Sequence, residues 1–231
     1  MNASFQAGIK ACLPTVLGYL GIGFSAGIVG RAAGLSPLEI GLMSLLIYAG
    51  AAQFIITSLL LLNSPFSAII LTTFIVNSRH LLMSMTLAPR VESRHQLDRF
   101  GIGALLTDES FAVAMNTSLK QQIDANFMHG LNLTAYLSWI GSTVLGALIG
   151  SWFPDPGRFG LDFALTAMFI GLLYLQFESE RSRIALNGLL LVFVFLLLYI
   201  SMRYLSPELA VLFATMIAAS IGVVISRWKS V

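Results

Sequence analysis

Residues 66–88 read FSAIILTTFIV-NSRH-LLMSMTLA: an uncharged run from Phe66 to Val76, then Asn77-Ser78-Arg79-His80, then a second uncharged run from Leu81 to Ala88. At ~1.5 Å rise per residue, Arg79 lies roughly 20 Å from Phe66 and about 15 Å from Pro89. The hydrocarbon core of a bilayer is about 30 Å thick, so Arg79 and His80 fall near its middle. A charge at that depth costs several kcal/mol and faces a partner or a wet cavity. The chain must therefore supply a group that answers Arg79.

The composition supports the membrane reading. Of 231 residues, 57% are hydrophobic and only 10% are charged, and the mean hydropathy is +0.84. Soluble domains carry about a quarter charged residues. The apolar runs are continuous and lack the alternation of a membrane barrel, so the backbone can be satisfied in lipid only as helices. The expectation is an all-α integral membrane protein, with residues 1–231 forming a single transmembrane domain. A net charge of +2 gives no reason to expect nucleic acid, and Cys12 is the only cysteine, so no intrachain disulfide is expected. The apolar run from Leu13 is too long for a signal peptide and carries Pro14. There is no H-E-x-x-H, no Walker loop and no Cys/His cluster, so neither cofactor, metal nor enzymatic activity is expected. Gly23-Phe24-Ser25-Ala26-Gly27 matches G-x-S-x-G, but that motif needs a strand-to-helix turn, and here it sits in a membrane span.

Eight apolar segments follow one another: 9–30, 36–62, 66–88, 100–119, 130–152, 160–177, 186–204 and 207–225. The first is glycine-rich, and Gly23/Gly27 and Gly30/Gly34 are small-xxx-small pairs suited to close backbone approach. Ser36-Pro37-Leu38-Glu39 is a capping box that opens the second. The fifth carries Ser138, Ser142, Gly146 and Gly150 at every fourth position, a second small-residue stripe. The seventh is almost purely apolar and is expected to face lipid. With eight full crossings, Arg31, Arg90, Arg94, Arg99, Arg158 and Arg203 fall on one side, and Lys10, Lys120, Arg181, Arg183, Arg227 and Lys229 on the other. Lys and Arg normally favour the cytoplasmic side, so this tie leaves room for a broken or re-entrant segment. The expected bundle has seven to eight transmembrane helices.

Depth then selects the candidates. Arg79 lies ten residues before Pro89, while Asp108 and Glu109 lie nine and ten residues after Arg99. Both sites are thus roughly 14–15 Å from one face. In the preceding hairpin, Gln53 and Asn77 fall at matching depth. Arg79 is expected to pair with one acid and leave the other to a cavity. On a regular helix Arg79 points about 160° from Asn77, so Asn77 and His80 are the expected cavity residues and Arg79 the clamp. His80 or an acid is the candidate proton carrier.

The glycine-rich first segment, Gly34-Leu35-Ser36, Tyr48-Ala49-Gly50-Ala51-Ala52-Gln53-Phe54, Asn77-Ser78-Arg79-His80 and Thr107-Asp108-Glu109-Ser110-Phe111, taken in order, resemble the AzlC-like family. Those proteins are the large subunits of bacterial branched-chain amino acid exporters. The resemblance is close over the first half and rests on length and hydropathy over the second. It implies a multi-pass protein of the bacterial inner membrane that exports branched-chain amino acids, or methionine, with a small AzlD-like membrane subunit as partner. Proton coupling is the expected drive. Gln53, Asn77, His80, Glu109, Tyr48 and Phe54 are the expected substrate-binding residues. Arg79, Asp108, Glu109 and His80 are the expected ion pair or proton carriers. The alternative is a non-transporting assembly factor or sensor, which keeps the Arg–acid pair but lacks a continuous path.

Overall fold

A computed structural model describes residues 2–93, 95–153, 155–179, 184–205, 209–210, 213–214, 217–218 and 220–222. Its elements are α1 (Ala3–Ala32), α2 (Pro37–Leu46), α3 (Gly50–Leu61), α4 (Phe66–Leu87), β1 (Val91–Glu92), α5 (Gln96–Ala104), α6 (Asp108–Ser118), β2 (Ile123–Asp124), α7 (Ala125–Ile149), α8 (Ala164–Ser179) and α9 (Ile184–Ser201). They form two compact units, residues 1–168 and residues 169–231.

The axis of the first unit is the pair α1–α7, its most extensive helix contact. The two helices run parallel. Gly8 lies against Phe127 and Leu131, Gly23 against Ser142, and Gly27 against Thr143 and Ala147. From the other side, Gly130 meets Phe5 and Gly146 meets Phe24. The two small-residue stripes read separately in the sequence are thus the two halves of one interface. A Cβ at Gly8, Gly27, Gly130 or Gly146 would stand 2.1–2.2 Å from a carbonyl oxygen of the facing helix. Only glycine permits that approach. At one end of this pair the Ser4 hydroxyl donates to Asp124, and Asp124 caps α7 by accepting from the Phe127 N–H at 2.9 Å. This is called the near end, and the end holding Arg31 and Gly150 the far end.

Two helix pairs enter the bundle from opposite ends. β1 and β2 pair in parallel, Val91 with Ile123 and Glu92 with Asp124. Paired strands lie about 5 Å apart, so the chain leaves the near end at Glu92 and is back there at Ile123. Between them lie α5 and α6, which reach in roughly 14 and 16 Å respectively. They descend and return, with Leu105-Leu106-Thr107 at the tip. The Asn132 amide donates to the Ile102 carbonyl at 3.0 Å and His129 lies 3.2 Å from Asp98, which fastens α5 to α7.

The α2–α3 pair repeats this from the far end. Ser36 caps α2, accepting from Glu39 N–H while its own N–H donates to the Glu39 carboxylate. α2 begins one turn beyond the C-terminus of α1, where the Leu35 N–H donates to the Gly30 carbonyl. α4 has 22 residues, about 33 Å, and ends beside β1 at the near end, so Phe66 and the turn before it lie at the far end. Within the pair, Gln53 Nε2 donates to Ser44 Oγ at 3.0 Å. Those residues would stand about 13 Å apart along one continuous helix. The reversal occurs at Tyr48, whose φ of +42° lies in the left-handed region that side chains rarely adopt.

The segments 36–62 and 100–119, expected to cross the membrane, are therefore re-entrant hairpins. Their four helices have 10, 12, 9 and 11 residues, so each spans about half of a 30 Å core. Among the described residues, four helical stretches are long and apolar enough to cross: Ala3–Ala32, Phe66–Arg90, Ala125–Trp152 and Ile184–Ser201. α8, the expected sixth span, has 16 residues. The expected eighth, 207–225, lies largely outside the described residues.

In the second unit, α9 exposes Leu189, Val192, Phe195, Leu196 and Tyr199, the surface expected of a lipid-facing helix. Ala210, Ala214 and Ala218 are buried at four-residue spacing.

Candidate functional site

The two hairpin tips converge on one pocket at mid-bundle. Tyr48, Ala49, Gly50 and Ala51 come from the far hairpin, and Thr107, Asp108 and Glu109 from the near one. Arg79 and His80 of α4, Tyr19 of α1 and Trp139 of α7 complete the wall.

Each tip is a helix N-terminus. At the near tip Thr107 accepts from the Ser110 N–H, while Ser110 Oγ accepts from the Thr107 N–H at 2.9 Å, a reciprocal cap. Asp108 and Glu109 occupy the first turn of α6, where the helix dipole favours negative charge. At the far tip the capping position is Ala49, and no side chain caps α3. The first-turn N–H groups there have no side-chain acceptor, and Ala49, Gly50 and Ala51 line the pocket. Gly50 is held against the Trp139 ring, which a Cβ would meet at 2.8 Å.

The charges are divided between two partners. Arg79 Nη2 lies 2.7 Å from Asp108 Oδ2, with both side chains largely shielded. Glu109 instead accepts from the Tyr19 hydroxyl at 2.8 Å. Tyr19 Oη also lies 2.9 Å from Thr107 Oγ1. Because the single Tyr19 proton goes to the carboxylate, the Thr107 hydroxyl donates to Tyr19. The Tyr19 ring packs edge-on against Trp139 at 5.0 Å. The Tyr48 hydroxyl is buried beside this cluster and makes no hydrogen bond of normal geometry.

Five of the residues expected from the sequence meet here: Tyr48, Arg79, His80, Asp108 and Glu109. Three do not. Gln53 is buried with both ends of its amide engaged, donating to Ser44 and accepting from Trp139 Nε1 at 2.8 Å. It ties the far hairpin together and does not face the pocket. Phe54 is buried but lies outside the pocket wall. Asn77 also lies outside it, with its Oδ1 buried and lacking a hydrogen-bond partner, as are Thr72 Oγ1 and Thr73 Oγ1 on the same helix. α4 stays regular through this stretch. The pocket sits between the directions of Arg79 and His80, roughly 110° round the helix from Asn77. Arg79 therefore both clamps Asp108 and faces the pocket, instead of being split from His80.

Tyr19, Trp139 and the capping role of Thr107 escaped the sequence reading. T-x-x-S ahead of Phe111 carries the spacing of a reciprocal cap. A tyrosine inside a glycine-rich span needs a hydrogen-bond partner, and that requirement was a usable signal for Tyr19. Ser25, from the chance G-x-S-x-G match, donates to the Gly21 carbonyl of its own helix. Among the described residues no group of three His, Cys, Asp or Glu side chains could hold a metal ion.

The family described as AzlC protein matches residues 14–153. An uncharacterized membrane protein of Archaeoglobus fulgidus is 35% identical over 190 residues, covering 81% of this chain and 82% of its own length. The inner membrane protein YgaZ of Escherichia coli is 34% identical, covering 78% and 76%. The branched-chain amino acid transport protein AzlC of Bacillus subtilis is 28% identical, covering 90% and 82%. No solved structure matches the chain.

Proposed function

The chain belongs to the AzlC family of inner-membrane proteins, and from that premise we propose that it exports branched-chain or similar apolar amino acids. The carrying observation is the meeting of two re-entrant tips, one an uncapped helix N-terminus and the other bearing a half-buried carboxylate held by Tyr19. A zwitterion needs both. The first-turn N–H groups of α3, with the unsatisfied Tyr48 hydroxyl, suit the substrate carboxylate. Glu109 suits the ammonium, and the Tyr48 and Trp139 rings suit an apolar tail. Asp108, neutralised by Arg79, holds α4 against the tip. The name of the Bacillus subtilis relative supports this substrate class.

The enclosed part of the pocket holds little more than a water-sized space, so the tips must part to admit an amino acid. Two hairpins entering from opposite ends supply a way to open the site to one side at a time. Glu109 or His80 carries the coupling proton, since burial and neighbouring charge tune such groups. A small AzlD-like membrane subunit completes the exporter.

The test is efflux of preloaded leucine, isoleucine, valine and methionine from cells, with and without the small subunit. Glu109→Gln should abolish efflux at normal membrane levels, Tyr48→Phe should reduce it, and Asn77→Ala should leave it near wild type. Efflux unaffected by Glu109→Gln would remove the reading.

A further inference from the structure

A second pocket lies between α4, β1 and α5, nearer the near end of the bundle. Its walls are mostly apolar, including Leu87, Val91, Ile102 and Leu106, with Ser84, Ser93 and the exposed Arg99 as its polar members; one Arg99 nitrogen, Nη2, donates to the Ser93 carbonyl at 3.3 Å. Two features link it to the site above. Ser84 of this pocket and His80 of the inner one are one helical turn apart on α4, on the same face. Leu106, which is 2% exposed, belongs to this pocket, while its neighbour Thr107 belongs to the inner one. The tip of the near hairpin is thus the partition between the two spaces.

The chemistry of the outer pocket fits one ligand class. An apolar slot with a guanidinium among its lining groups suits a carboxylate carrying a branched or unbranched aliphatic tail. No lining side chain carries a negative charge, so the ammonium has no partner and is left towards water. We propose that this pocket is a second, weaker station for the transported amino acid, from which the ligand reaches Glu109 when the near tip swings Leu106 aside. This rests on the amino acid reading of the inner site and extends it to a route. Its weakness follows from its parts: a rim-exposed charge contributes little, whereas the inner site offers better-shielded partners to both charged ends.

Cysteine labelling of the full-length protein in detergent separates the two sites. The native Cys12 is fully buried and stays silent. Ser84→Cys reports on the outer pocket and His80→Cys, at a half-buried position, on the inner one, each with Glu109 intact and with Glu109→Gln. Bound ligand slows modification by a factor of one plus concentration over Kd, so leucine at about nine times Kd slows it about tenfold. Leucine should protect Ser84→Cys in both backgrounds, and His80→Cys only where Glu109 is intact. Protection of His80→Cys with none at Ser84→Cys would overturn the second station and leave the inner site standing. Protection of Ser84→Cys that disappears with Glu109→Gln would also overturn it, since the effect then comes from the inner site. No protection at either reporter would remove both readings. Ile102→Trp, which fills the outer slot, should abolish protection at Ser84→Cys while preserving it at His80→Cys.

Discussion

Replacing Gly27 with alanine tests the axis on which the site is built. The new Cβ would stand 2.1 Å from the Thr143 carbonyl oxygen and 2.6 Å from the Ala147 nitrogen. Carbon contacts settle at about 3.5 Å, so the shortfall is about 1.4 Å. Both clashing atoms are backbone and cannot rotate away, so α1 and α7 must part. Parting also loosens Gly23 against Ser142 and Gly146 against Phe24, both about one turn away or less along α1. Overpacking of this kind costs about 1–3 kcal/mol, the upper end being apt where backbone meets backbone. The gain in helix propensity offsets about 1 kcal/mol, leaving a net loss of about 2 kcal/mol. Gly18→Ala is the control: nothing lies within 4 Å of its Cβ position, so it should gain about 1 kcal/mol from propensity alone. The two variants should differ by about 3 kcal/mol, or roughly 6–12 °C in midpoint at ~2–4 °C per kcal/mol. Thermal unfolding of the purified protein in detergent, followed by near-UV circular dichroism, measures this. Equal midpoints for Gly27→Ala and Gly18→Ala would refute the close parallel packing.

Arg79→Ala should lower the folded fraction in membranes, because it strands Asp108 at depth, by about 1–3 kcal/mol given the partial exposure of the pair. Arg79→Ala with Asp108→Ala should recover part of that loss, and a double-mutant cycle on folded yield checks it. Gln53→Leu should cost about 1–3 kcal/mol by leaving Trp139 Nε1 without an acceptor and cutting the link to Ser44, which keeps only Thr143; proteolysis within the 47–50 turn reads the loosened hairpin. At Asp124 burial raises the carboxyl, but the Ser4 hydroxyl and the Phe127 N–H outweigh it, and the net shift is downward. A lowered folded value means that its stabilisation is complete above the ordinary aspartate value of about 3.9 and is lost as pH falls through the folded value. Asp124→Ala should therefore cost about 1 kcal/mol at neutral pH, the loss of a helix cap, and close to nothing at the acid end of a pH series.

The sequence was most informative where one local rule decides the outcome. Ser36, Pro37 and Glu39 specify a capping box through adjacent backbone, and the structure contains it. The small-residue stripes on α1 and α7 were legible for the same reason, since periodicity shows which face is small. Their pairing with each other was not, because it joins residues about 120 positions apart. The re-entrant hairpins were hidden by hydropathy, which does not distinguish one long apolar helix from two short ones. Only the break marks them, and at Tyr48 that break is a left-handed residue with no glycine at the position to signal it. Equal spacing from the 89–99 loop was enough to bring Arg79 beside an acid, because α4 carries one count and α5, with the tip that follows it, carries the other to the same level. Helical phase misplaced Asn77: it gives the angle between Asn77 and Arg79 but not which direction the pocket takes, and the pocket lies between Arg79 and His80.

The parallel pairing of β1 with β2 also changes the electrical asymmetry of the molecule. With two segments turning back, the ends of the first unit no longer alternate as eight crossings require. Among its described residues, Lys10, Arg90, Arg99 and Lys120 gather towards the near end, against Arg31 and Arg158 at the far end. Over these six residues the balance is four against two, and because Lys and Arg favour the cytoplasmic side, a cytoplasmic near end is the prediction, checked by one-sided labelling of a cysteine placed at exposed Gln96. On that placement and the proposed export function, the outer pocket would face the compartment in which the cargo accumulates, and the inside-negative membrane potential would draw a coupling proton towards that same face.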